Sequence, residues 1–330
     1  MISKTIKKFI LILVMIILSG PVFGQEKELH IEKIINFFAF GTGSTTGTYF
    51  PLGNAFAHVW TQKSKSINVM TYSSNGSYEN IELLRNHEVN LAIAQSDIVS
   101  AALNGKGKFL GRPFKDLKVL MALYPEVIQI VVPENSDIKT LSDLKNHRIN
   151  VGAINSGNAL TAVEFLSELN IKENEYTKIN MSYDEAIQAM EKNECDATII
   201  IAGIPTKVIL ELKKRIAVRI IDIPLQTVAE AIQKLPYLSA FTISDDIYGD
   251  SKQTSTLAVM ALLVSNSDLK DDLAYDLLKM LFDNLDYLKV IHERARDLSV
   301  KNALRGIKKE YLHPGAEKYL EEAKQLQKKN

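Results

Sequence analysis

Residues 34–59 read Ile34-Ile-Asn-Phe-Phe-Ala-Phe40, then Gly41-Thr-Gly-Ser-Thr-Thr-Gly47, then Thr48-Tyr-Phe-Pro-Leu-Gly-Asn-Ala-Phe-Ala-His-Val59. The first piece is an apolar run of strand length, and the second is a glycine-rich turn. The third places Tyr49, Leu52, Phe56 and Val59 at helical spacing. Pro51 is tolerated there because the N–H it lacks would have no intrahelical partner in the first turn. A strand that enters a helix through a short turn is the repeating unit of an α/β sheet with parallel strands.

The unit recurs along the chain. Strand Ile67–Tyr72, turn 73–76 and a helix from Ser77 to Arg85 come next, followed by strand Asn90–Ala94, helix Asp97–Leu103 and strand Val119–Leu123. The run Val127–Val132, closed by Pro133 and a polar stretch, reads as a crossing into a second region built the same way. That region has a helix at Ser142–Lys145, strand Arg148–Gly152 and a helix carrying Leu160, Val163, Leu166 and Leu169. The capping box Ser182-Tyr-Asp-Glu185 opens a helix to Lys192, and strand Ala197–Ile201 follows. Residues 224–256 read as irregular, with one strand at Tyr237–Ile243. Leu257–Val264 reads as a return strand, and beyond Asp268 the pattern is helical to the end. The expectation is two α/β lobes, 25–132 with 257–330 and 133–256, joined by a two-segment hinge with a cleft between them. A helical C-terminal tail completes the first lobe.

Residues 1–24 differ from the rest. Lys4, Lys7 and Lys8 precede the ten-residue apolar run Phe9–Leu18, Ser19-Gly-Pro21 breaks it, and small residues stand at Val22 and Gly24 before Gln25. This is the three-part layout of a cleaved secretory signal. Ten apolar residues fall short of the ~20 that span a bilayer, which argues against an uncleaved anchor. No Cys stands at the cleavage point to take a lipid, so the expected compartment is the periplasm.

The whole chain has 330 residues with 39 basic and 39 acidic side chains; without residues 1–24 there are 36 basic against 39 acidic. No basic surplus exists for a nucleic-acid partner. The single Cys195 excludes an intrachain disulfide and a cysteine zinc cage, and its flanking Glu194 and Asp196 disfavour a thiolate. The six histidines are scattered, with no His-x-x-x-His pair. Ser136–Lys139 and Ser142–Lys145 match Ser-x-x-Lys without the companion motifs of an acyl-transfer enzyme. Gly41-x-Gly43-x-x-x-Gly47 has no acid near the end of the second strand and no following Lys-Ser/Thr, so neither a dinucleotide fingerprint nor a phosphate loop is made. No enzyme and no cofactor are expected.

Strand-to-helix turns rich in Gly, Ser, Thr and Asn stand at 41–48, 73–77, 95–97, 153–158 and 202–206. In open α/β sheets, ligands gather at these strand ends, where helix N-termini present free N–H groups. Hydroxyls and amides converging from both lobes suit a small polar solute, plausibly a carboxylate. Arg148 and Lys207 are the nearest candidate cations, and Arg148 stands at the wrong end of its strand.

These motifs resemble a family. Phe40-Gly-Thr-Gly-Ser-Thr-Thr-Gly-Thr-Tyr-Phe-Pro-Leu-Gly53 is similar to the opening motif of the TAXI-type solute receptors of TRAP transporters. Asn75-Gly-Ser-Tyr-Glu-Asn80, Gln95-Ser-Asp97, Asn155-Ser-Gly157, Cys195-Asp-Ala197 with Gly203-Ile-Pro-Thr206, and Leu312-His-Pro-Gly-Ala316 follow in order. The resemblance implies a type II periplasmic binding protein fold. It also implies delivery of a glutamate- or dicarboxylate-type solute to a sodium-coupled TRAP permease, by a freely diffusing monomer. By position it implies ligand contacts from Thr42, Ser44, Thr45, Tyr49, Asn75, Ser77 and Gln95 on one wall, with Ser156, Gly157, Asn158, Pro205 and Thr206 on the other. Thr46 and Asn158 depart from the usual residues of the motifs. Two other roles fit an exported binder: a ligand-sensing partner of a membrane kinase, which uses the same cleft, and a periplasmic hydrolase, which needs a nucleophile–base pair.

Overall fold

A computed structural model describes residues 36–329; the expected signal segment 1–24 lies outside them. The strand of the opening unit is β1 (Asn36–Gly41), and its helix is α1 (Tyr49–Lys63). Parallel pairing joins β1 to β2 (Ile67–Tyr72) on one side and β3 (Leu91–Gln95) on the other. Helices α2 (Ser77–Arg85) and α3 (Ser96–Asn104) follow β2 and β3. A second parallel trio, β6 (Thr177–Ile179), β5 (Arg148–Asn150) and β7 (Ala197–Ala202), carries α4 (Gly157–Glu168), α5 (Tyr183–Glu191) and α6 (Lys207–Lys213).

Two long strands unite the trios. β4 (Leu117–Pro133) and β10 (Thr254–Asn266) pair antiparallel; β10 also lies against β3, and β4 against β7. The sheet order is β2-β1-β3-β10-β4-β7-β5-β6, with β8 (Val218–Ile220) on β4 and β9 (Ser239–Ile243) on β10. Each parallel trio is therefore closed by an antiparallel return strand, the type II periplasmic binding protein arrangement. Mixed pairing corrects the all-parallel expectation for the strands nearest the middle. Val119–Leu123 and Val127–Val132 are also one strand rather than two. Pro125 passes within it because the ladder with β10 is irregular there, with a register shift between Met260 and Leu262.

Other departures are local. The expected helix Ser142–Lys145 is a 3-10 turn, Leu141–Leu144, held by Thr140 and Asp143. The stretch expected to be irregular contains α7 (Leu225–Lys234) and the single turn α8 (Asp245–Tyr248), and the three-residue strands β6 and β8 escaped notice because they are too short for a periodic signal. The C-terminal region is helical as expected, with α9 (Asp271–Asp283), α10 (Leu285–Ile291) and α11 (Pro314–Lys329).

Apolar residues form separate cores on the two halves of the sheet. On one, Phe40, Phe56 and Trp60 pack against α9, and Trp60 Nε1 donates to the Leu277 carbonyl at 2.9 Å. On the other, Phe165, Leu166, Ile199 and Ile201 pack with Ile128 and Ile130 of β4. Cys195 is buried in the second half, its Sγ 2.9 Å from the Ala197 carbonyl, and burial pushes its thiol pKa up. Among the described residues no helix is long and apolar enough to cross a membrane.

Candidate functional site

Four helices aim their N-termini at one place. The preceding caps are Thr48 for α1, Gly76 for α2, Ser156 for α4 and Ser182 for α5. Gly76 has φ +101°, a conformation that side chains rarely adopt. Ser156 accepts from the Ala159 N–H at 3.0 Å, and Ser182 with Glu185 forms the reciprocal capping box foreseen from the sequence. Residues from all four helix starts line a cavity of about 90 Å³. A water molecule needs ~10–15 Å³ of such space, so the cavity has room for several waters or one small solute. First-turn N–H groups have no intrahelical partner, and four converging helix ends make the cavity electropositive without any basic side chain.

Two asparagines hold these helix starts against the sheet. Asn80 Nδ2 donates to the Thr42 and Ile93 carbonyls at 2.6 and 2.8 Å, and its Oδ1 accepts from Ser74 at 2.7 Å. Asn158 does the same in the other half. Its Nδ2 donates to Val151 and Ile199 at 2.6 and 2.8 Å, while its Oδ1 accepts from the Ile201 N–H at 2.6 Å and Tyr183 at 3.3 Å. Each amide satisfies backbone groups of two strands at their C-terminal ends, where the ladders stop and carbonyls would otherwise be orphaned.

The cavity contains one carboxyl group. Glu126, on β4, is 3% exposed, and its Oε2 accepts from the Tyr49 hydroxyl at 2.9 Å. No hydrogen bond within the described residues reaches its other oxygen. Burial pushes the Glu126 carboxyl well above its ordinary range, against the lowering effect of the Tyr49 hydrogen bond. Burial and the Glu126 charge likewise raise Tyr49 and Tyr183, so both phenols stay protonated donors. Among the described residues lining the cavity there is no Lys, Arg or His.

Contacts across the cavity close it. Thr161 of α4 donates to Asp97 Oδ2 at 2.5 Å, and Gln95 Nε2 donates to the Thr161 hydroxyl at 3.2 Å. Lys108 reaches Asn155 at 3.0 Å, and Thr46 reaches Asp184 at 3.4 Å. Gly157 lies so close to the opposite wall that a Cβ there would overlap Gln95 Oε1 and stand 2.7 Å from Ser77 Cβ. Asp97 Oδ1 is buried without a partner among the described residues, and burial raises the carboxyl to about 6 against the partial offset of the Thr161 bond.

A carboxyl with a raised pKa takes up a proton when this structure forms. Its contribution to stability is therefore full below the unfolded value near 4 and is lost as pH rises through about 6. Two units correspond to about 3 kcal/mol. Asp97→Asn keeps an acceptor for Thr161 and carries no charge. We expect it to leave stability at pH 4 nearly unchanged and to raise it at pH 7.5 by about 2–3 kcal/mol. Chemical denaturation of both proteins at the two pH values checks this; equal pH slopes would refute it.

Residues 40–323 match the NMT1-like family. The chain belongs to the NMT1-like family. Similar solved structures include the alkanesulfonate-binding protein SsuA from Xanthomonas axonopodis pv. citri bound to MOPS, at 15% identity over 87% of this chain and 84% of that one, with a TM-score of 0.48. A putative L-cystine ABC transporter protein from Listeria monocytogenes is 14% identical over 84% of this chain and 100% of that one, with a TM-score of 0.48. Protein AF1704 from Archaeoglobus fulgidus is 12% identical over 89% and 97%, with a TM-score of 0.46.

In this NMT1-like chain, eight of the twelve residues implied by the motifs line the cavity: Ser44, Tyr49, Asn75, Ser77, Gln95, Ser156, Gly157 and Asn158. Four do not. Thr42 is buried beneath it, donating to the Tyr72 carbonyl at 2.7 Å, and Thr45 is exposed. Pro205 and Thr206 lie outside because Thr206 is engaged elsewhere: its hydroxyl accepts from Gln129 at 3.0 Å, and its N–H donates to Tyr248 at 2.8 Å. Arg148 pairs with Asp196 at 2.6 Å, and Lys207 is exposed at the start of α6, so neither candidate cation reaches the cavity. Sequence reasoning missed Glu126 and Tyr183. A signal for Glu126 existed: it is the one acid inside the apolar run 117–133, which a two-sided buried strand does not keep without a purpose.

Proposed function

We propose that the protein is an exported solute receptor that captures one small organic anion or amino acid between two closing lobes. The observation that carries this is the small cavity walled by four helix N-termini, two from each half of the sheet. The lobes would be 25–132 with 257–330 and 133–256. Ile128 and Ile130 already pack with the second core, so the bend would fall near Pro125 in β4 and near Met260 in β10, where pairing is irregular. The order of motifs that resembles the TAXI type suggests a glutamate- or dicarboxylate-type ligand handed to a TRAP permease in the periplasm. Binding rather than turnover is favoured by the setting of the nucleophile candidates: Cys195 is buried with a raised pKa, and no histidine among the described residues lines the cavity.

The test is thermal or chemical denaturation of the chain without residues 1–24, with and without amino acids and C4–C6 dicarboxylates. A true ligand at 100 times its dissociation constant should stabilise by about 2.7 kcal/mol. No stabilisation by any of them would sink the receptor reading in this form.

A further inference from the structure

We propose that the ligand carries both charges, a protonated amine seated on Glu126 and an anionic group seated on the helix N-termini, so that the receptor takes zwitterionic amino acids and refuses plain carboxylic acids. The inference rests on the receptor reading above and deepens it.

Complementary charge is what the site offers a ligand. The N-terminus of α4 offers the unpaired N–H groups of Gly157 and Asn158, and α2 offers that of Ser77, which is what a carboxylate needs. A ligand with negative charge alone would then also meet Glu126. That side chain is buried, lines the same cavity, and has one oxygen taken by Tyr49 and the other unbonded within the described residues. When ionised, that oxygen is acceptor-only, so it fits an ammonium N–H and repels another carboxylate; burial favours the neutral acid, so a ligand ammonium is the group that would hold Glu126 ionised. Among the described residues no Lys or Arg lines the cavity to occupy that oxygen instead. The titratable groups around Glu126 are Tyr49 on α1, Tyr183 on α5, Tyr124 on its own strand and Asp97 on α3; Arg294 is felt by Tyr124 and not by Glu126. All of the groups acting on Glu126 are acids or phenols. Both ends of a zwitterion are satisfied here, and only one end of a dicarboxylate is, unless Glu126 takes up a proton.

Calorimetric titration with matched pairs tests this: L-glutamate against glutarate, L-alanine against propionate, L-phenylalanine against 3-phenylpropionate. The expected result is that in any pair that binds, the amino member binds roughly 30-fold or more tightly, as for a buried charge pair against its truncated partner. Glu126→Gln should shrink that ratio to a few-fold by weakening the amino member. Lowering the pH from 7.5 to 5 should narrow the ratio in the wild type and leave it unchanged in the variant. Taking the ratio cancels any effect of Asp97 on closure. Equal or tighter binding by acids without the amine overturns the proposal and leaves the receptor reading standing. Binding by no member of any pair at millimolar concentration overturns both. The wild-type comparison does not depend on the variant folding.

Discussion

Replacing Gly157 by alanine is expected to weaken solute binding roughly ten- to hundredfold while leaving the unliganded protein at least as stable. The new Cβ would overlap Gln95 Oε1 and lie 2.6 Å from Ser77 Oγ and 2.7 Å from Ser77 Cβ. The glutamine tip can swing away, but Ser77 Cβ is fixed to the start of α2, so the two walls must part. Forcing one methyl group into a closed contact costs about 1–3 kcal/mol, which is the expected loss of affinity. Within its own helix the substitution is favourable, because Gly costs about 1 kcal/mol relative to Ala. Under the closure proposed above, the clash would be met only when the two walls approach. Titration calorimetry and unfolding of the unliganded protein separate the two effects. A drop in unliganded stability matching the loss of binding would show that the walls do not separate, and domain closure would be abandoned.

The second large effect is expected at the two buried asparagines. Asn80→Ala removes the amide from the Thr42 and Ile93 carbonyls, of which Thr42 keeps the Ser74 hydroxyl, and strips Ser74 of its Oδ1 acceptor; Asn158→Ala removes the amide from the Val151 and Ile199 carbonyls and orphans the Ile201 N–H. At about 1–3 kcal/mol for each buried group left without a partner, a loss of about 3 kcal/mol or more is expected from either change. Binding should fall as well, since each asparagine fixes the helix start that faces the solute. The control is Asn75→Ala, an exposed residue whose side chain bonds only Glu79; its stability should stay within about 0.5 kcal/mol of the wild type. Urea midpoints at neutral pH report all three. A small effect at Asn80 or Asn158 would mean that water takes over these carbonyls and that the strand ends are wetter than the structure implies.

These two asparagines illustrate how legible the site was. Asn80 was visible only as part of a motif; Asn158, expected as a solute contact, lines the cavity, and its side-chain amide is taken up by Val151, Ile199, Ile201 and Tyr183. Their roles come from bonds to backbone groups up to 43 positions away for Asn158 and 38 for Asn80, and no periodicity records such pairings. The glycine-rich turns were legible because turn chemistry is local: Gly, Ser and Asn there have few other uses. Thr206 was misplaced for the opposite reason. Its turn has the same composition as the others, and only the packing of Tyr248 and Gln129 draws its hydroxyl away.

By itself, the sequence determined the α/β class, the return strand at 257–264, the polar turns that line the cavity, and the absence of a basic surplus or a catalytic motif. Those features follow from local preference and from hydrophobic period, which act over a few residues. Only the tertiary structure decided which turns meet and that the wall of helix ends is completed by a single carboxyl. It also placed Gly157 in contact with Ser77. Burial changes what a residue does: the same Glu126 on an open strand would be an ordinary solvated acid. Enclosed among helix ends and phenols, it becomes the group that chooses the ligand's charge.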